Sequence, residues 1–76
     1  MGTKNEPGAY DCYTKAGDDE PIFTLRAKDP FAWLVVQEWA NHYANSPDHD
    51  HTKFAEAMAC SKAMRTWRRD NVADDA

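Results

Sequence analysis

Seventy-six residues allow one small domain with a marginal core, because short chains bury a smaller share of their surface than long ones. Thirteen acidic against nine basic residues, a net charge of −4, argue against generic DNA binding, which depends on Lys and Arg neutralising phosphates. The N-terminus is polar and no apolar run approaches the ~20 residues of a membrane span. A reducing cytosol is therefore the expected setting, with Cys12 and Cys60 as free thiols.

Residues 1–9 are polar and Gly/Pro-bearing and read as a flexible end. Tyr10 to Lys15 alternates, placing Tyr10, Cys12 and Thr14 on one face. A turn of Gly, Asp, Glu and Pro follows, and Ile22 to Ala27 alternates again with Phe23, Leu25 and Ala27 facing inward. Two such runs across a polar turn predict a β-hairpin. Asp29 then suits a helix N-cap and Pro30 the first helical position, predicting a helix from Pro30 to Ala44. Its buried stripe is Ala32, Val35, Val36, Trp39, Ala40 and Tyr43.

A loop containing Pro47 leads to a second helix over 52–70, capped by Asp50 or Thr52. Phe54, Ala57, Met58, Ser61, Met64 and either Trp67 or Arg68 form its inner face, while Ala55, Ala59 and Ala63 are small enough to admit another helix. The short connection predicts an antiparallel helical hairpin. The expected fold is α+β, a ββαα unit over 10–70 with the β-hairpin packed on the helices and a flexible acidic end at 71–76. Phe31, Trp33 and Leu34 fall beside or outside the buried stripe, an apolar surplus that predicts a homo-oligomer with those residues in its interface.

Charge is uneven along the chain. Between 53 and 69 stand Lys53, Lys62, Arg65, Arg68 and Arg69 against Glu56 alone. Guanidinium forks grip phosphate bidentately and an indole stacks on a base, so Lys62, Arg65, Arg68 and Arg69 with Trp67 or Trp33 are the candidate ligand-binding residues. The competing explanation is that cations near a helix C-terminus complement its dipole, with Trp67 simply in the core. His42, His49 and His51, with Asp48 and Asp50, offer metal-ligand types without a zinc-finger or metalloprotease spacing, so a polar loop is the favoured reading and no metal is expected. The N-terminus of the second helix, near His49, His51 and Lys53, is a weaker anion candidate because Asp50 competes for the same N–H groups. No nucleophile, base and oxyanion donor can be placed together, so no enzymatic activity and no cofactor are expected.

Cys12-Tyr13, Glu20-Pro21 before the second alternating run, Asp29-Pro30 opening a helix, and Trp39-Ala40 form one set of features. Glu56-Ala57, Cys60 and Met64 with Trp67 form another on the second helix. Together they resemble a group of short bacteriophage- and prophage-encoded proteins, over about Tyr10 to Asn71. The chain departs from the group's pattern after Pro30, where Phe31 and Trp33 replace a smaller residue and a second Pro. The resemblance implies a phage accessory protein in the host bacterial cytoplasm and no particular activity. The reading that follows is a counter-defence binder that sequesters a small anionic, nucleotide-type immune signal as a homo-oligomer. The alternatives are direct inhibition of a host defence protein, presenting Asp18, Asp19 and Glu20 to a basic groove, and a structural or regulatory phage role.

Overall fold

The structure, a computed structural model, describes residues 1–72 and is built from helices: α1 (Cys12–Lys15), α2 (Ala32–Ala44) and α3 (His51–Asn71). The predicted β-hairpin is absent, and no strand occurs among the described residues. The fold is all-α rather than ββαα, and the reason lies in where the backbone donors go. Asp11 caps α1 by accepting from the Thr14 N–H, and the Ala16 N–H bonds back to the Cys12 carbonyl. The N–H groups of Ala9 and Tyr10 donate to Glu56 at 3.1 and 3.2 Å. A first strand at Tyr10 to Lys15 thus has no ladder left to offer. Ile22 to Leu25 adopt no regular secondary structure and form no backbone–backbone hydrogen bond among the described residues. Phe23, expected inward, is 84 % exposed, while Leu25 and Ala27 are half-buried.

The first long helix starts two residues later than predicted. Asp29 does not cap it. Its carboxylate accepts from the Phe31 N–H at 2.8 Å in a tight turn around Pro30, and its carbonyl accepts from Ala32. Phe31 occupies the cap position without a side-chain bond. The helix stops at Asn45, whose N–H reaches back to the His42 and Tyr43 carbonyls, ahead of Pro47. Asp50 opens α3 as predicted, one of its oxygens accepting from Thr52 at 2.8 Å and Lys53 at 3.4 Å. The same residue ties three segments together. Its N–H donates to the Tyr43 hydroxyl at 2.6 Å, and its second oxygen accepts from the Tyr10 hydroxyl at 3.0 Å. The Tyr10 bond, then the helix N–H groups, hold the Asp50 carboxyl below the usual carboxylate range.

α2 and α3 pack as the predicted helical hairpin, on smaller side chains than the stripes suggested. Ala32 and Ala40 on α2 and Ala57 and Ser61 on α3 are the buried residues among those described, and no large side chain is fully buried. The Ser61 hydroxyl donates to the Trp33 carbonyl at 2.7 Å, which fixes the register of one helix on the other. Val36, Tyr43, Phe54, Met58 and Met64 are half-buried around this seam. Val35 and Trp39, assigned to the buried stripe, are exposed, as are Ala55, Ala59 and Ala63. At the end of α3 it is Arg68 rather than Trp67 that turns inward.

Residues 1–10 fold back over α3. The Met1 amino group donates to the Pro7 and Tyr10 carbonyls and to Glu56, the last at 3.0 Å. Gly8 makes the return possible. Its φ of +85° lies in the left-handed region, and a Cβ there would stand 2.6 Å from the Met1 carbonyl oxygen. Residues 73–76, part of the predicted acidic end, lie outside the described residues. Cys12 is exposed and Cys60 half-buried, and both are free thiols, with burial pushing the Cys60 thiol up.

Candidate functional site

The antiparallel hairpin brings the C-terminal turns of α3 beside the start of α2. A cleft of about 680 Å³ opens there, lined by Trp33 from α2, by Lys62, Arg65, Thr66, Arg68 and Arg69 from α3, and by Val72. Five of the six candidate ligand residues therefore share one concavity, and no carboxylate lines it among the described residues. Helical geometry explains the gathering. Lys62, Arg65 and Arg69 follow i, i+3, i+7 spacing, which keeps them on one face. Trp33 reaches them because Ser61 sets the register between the helices.

Two contacts shape the cleft. The Arg65 guanidinium lies over the Trp33 ring, 4.6 Å from its centroid, a cation–π contact within the usual ~6 Å limit. The Arg68 Nε donates to the Lys28 carbonyl at 3.2 Å, fastening α3 to the turn ahead of α2. Arg69 donates to Asp70 at 3.3 Å, but both side chains are well exposed, and such pairs contribute little in water. Trp67 falls outside the cleft. It lines a second, shallower groove of about 520 Å³ with Ala59, Lys62, Ala63, Thr66, Asp70 and Asn71, and its carbonyl accepts from the Asn71 side chain.

Thr66 and Val72 were not anticipated. The spacing from Lys62 would have found Thr66, which sits one turn further on the same face. Val72 follows the end of α3, where helical periodicity carries no information.

The histidines form a different cluster at the other end of the hairpin. His49 and His51 meet edge to face at 4.7 Å between ring centroids, and Tyr43 stacks on Trp39 at 4.9 Å. The Lys53 ammonium is 5.7 Å from the Trp39 ring centre, 5.6 Å from Tyr43 and 5.8 Å from Tyr10. Being almost equidistant from two stacked rings, it lies beside the stack rather than over one face of it. Among the described residues no group of three or more His, Cys, Asp or Glu side chains is placed to hold a metal ion. The N–H groups that open α3 are taken by Asp50. Phe31 and Leu34, expected in an oligomer interface, are 67 % and 43 % exposed, whereas Trp33 is half-covered by Arg65.

No helix among the described residues is long and apolar enough to cross a membrane. Comparison with protein-family models, curated proteins and solved structures finds no match to this chain.

Proposed function

We propose that this chain is a non-enzymatic binding protein that sequesters a small anionic, nucleotide-type ligand in the Trp33–Arg65 cleft. One observation carries the reading: four cations and an indole line a single concavity on a chain whose net charge is −4. The helix dipole accounts for Arg68 and Arg69, which lie in the last turn of α3. It does not account for Lys62 and Arg65, which stand further back, since the effect fades beyond that turn. Guanidinium forks supply phosphate contacts, and the Arg65 guanidinium and Trp33 indole are flat groups on which a base can stack. Following the resemblance to phage-encoded proteins, the ligand is a host immune signal and the setting is the bacterial cytoplasm.

The reading includes self-association. A chain with no fully buried large side chain among the described residues, and with Phe31, Leu34, Val35 and Trp39 exposed along α2, gains its missing apolar burial from a second copy. α2 carries Glu38 as its one acidic residue and no Lys or Arg, so two such faces meet with little charge repulsion. Replacing Phe31 and Leu34 together by Asp is expected to give a monomer in native mass spectrometry. An unchanged assembly would place the interface elsewhere.

The binding test is native mass spectrometry of the purified chain after incubation with a nucleotide-rich bacterial extract. The expected result is a discrete added small-molecule mass that Arg65→Glu removes. Retention of that mass by Arg65→Glu, or an unliganded native chain, refutes the site.

A second reading draws on the other exposed surface. Tyr13 and Phe23, 78 % and 84 % exposed, flank the acidic turn of Asp18, Asp19 and Glu20 in the chain, a combination suited to a basic protein groove. Co-purification of a host defence protein that is lost on Phe23→Ala and kept by Arg65→Glu would favour it.

A further inference from the structure

The cations of the cleft are arranged about the Arg65–Trp33 stack rather than gathered at one end of it. Lys62 precedes Arg65 by three residues and Arg69 follows it by four, so they stand ~4.5 Å and ~6 Å from it along the helix axis, in opposite directions. Arg68 lies on the same side as Arg69. Arg65 covers one side of the indole, so a base entering from the cleft meets the guanidinium, which stacks on aromatic rings through its flat faces. A base seated there has a cation on either side. A 5′-polyphosphate would extend toward one end and leave the cation at the other unused.

We infer that the cleft takes a nucleotide carrying phosphates on both sides of its base, the unit of a 3′,5′-phosphodiester, in preference to one with all its phosphates at a single end. The inference rests on the nucleotide reading above and adds the placement of the charges. Arg65 is then the stacking platform, and Lys62 and Arg69 are the flanking phosphate ligands. Asp70 competes for Arg69, but as a solvated partner it yields readily to a phosphate that the guanidinium fork grips bidentately.

The test compares adenosine 3′,5′-bisphosphate with adenosine 5′-diphosphate, which have the same base and the same number of phosphates. Both are titrated into the full chain at one fixed salt concentration, with tryptophan fluorescence and calorimetry as readouts. The bisphosphate is expected to bind about tenfold tighter or better, the equivalent of one extra charge-assisted hydrogen bond. Arg65→Lys, which keeps the charge and loses the flat platform, should weaken the bisphosphate by a similar factor. Lys62→Gln should narrow the gap between the two ligands. Equal affinities, or a preference for the diphosphate, overturn the inference and leave the nucleotide reading standing. If neither ligand binds, both fall. 5′-Phosphorylated linear and cyclic 3′,5′-linked dinucleotides, in which a nucleoside carries phosphate on both sides, identify the source: binding of either one at the bisphosphate's affinity supports the inference, and failure of both overturns it.

Discussion

Ala57→Leu is expected to remove a large part of the protein's stability and to lower its urea midpoint sharply. Ala57 is fully buried where α3 meets α2, and Ala32, Ala40 and Ser61 are the other buried residues of that seam. A leucine has no void to enter, so it must force the helices apart or adopt a strained rotamer, at a cost of about 1–3 kcal/mol and occasionally more. A single core in a chain this short supplies no more than about 3–5 kcal/mol in total. Separation of the helices also breaks the 2.7 Å bond from Ser61 to the Trp33 carbonyl, which adds to the loss. The check is a urea titration followed by circular dichroism, with Ala59→Leu as control. Ala59 is exposed on the same helix, and surface changes of that kind usually stay within about 0.5 kcal/mol. Equal midpoints for the two variants would show that the seam is not where stability resides.

The second large effect is expected at Glu56. This carboxylate accepts from the Met1 amino group and from the Ala9 and Tyr10 N–H groups, holding ten residues of chain against α3. Glu56→Ala improves intrinsic helix propensity, so any loss must come from the clasp and not from the helix. Amide exchange should accelerate at Ala9 and Tyr10 while the α2–α3 seam keeps its protection. Unchanged exchange there would mean that the segment is held by something else. The same clasp predicts a pH dependence. The bond from the Met1 amino group, ahead of the Ala9 and Tyr10 bonds, holds the Glu56 pKa below its ordinary value. The folded state therefore binds fewer protons than the unfolded one near that range. The stabilisation is fully present above the ordinary glutamate pKa of about 4.3 and is lost as pH falls through the depressed folded value. Asp50 and Asp11 shift in the same direction, so their contributions are likewise lost on acidification, below the ordinary aspartate pKa of about 3.9.

The helical hairpin was legible in the sequence, whereas the β-hairpin read there does not exist. Asp50 announces α3 because capping is local chemistry, decided within three residues. Tyr10 to Lys15 alternates equally well for a strand, and six residues cannot separate one turn of helix from a strand by period alone. Two contacts decide the matter: Asp11, which accepts from the Thr14 and Lys15 N–H groups, and Glu56, more than forty residues away, which takes the Tyr10 donor. Local pattern carries no trace of the second. The stripe on α2 erred for a related reason. Periodicity ranked Val35 and Trp39 by hydrophobicity, but a seam that closes on Ala32 and Ala40 selects for small volume and leaves the larger residues at its margin. At the site, helical spacing alone brings Lys62, Arg65 and Arg69 together. The choice of Trp33 over Trp67 as their neighbour depends on the register between two helices, which Ser61 sets and no single-helix pattern encodes.

The unequal lengths of the two main helices have a mechanical consequence. α2 has 13 residues and α3 has 21, so with Ser61 seated against Trp33 the last turns of α3 run past the start of α2. That end projects like a cantilever, propped by Arg65 against the indole and by Arg68 against the Lys28 carbonyl. Warming should fray the beam from its C-terminal end while the alanine seam behind it still holds, because helix termini with few buried contacts open at the lowest free energy. The cationic cleft sits on that tip. A ligand of the kind proposed, by bridging Arg69 back to Lys62, would splint the beam, so that the ligand and the final turns of α3 become ordered together.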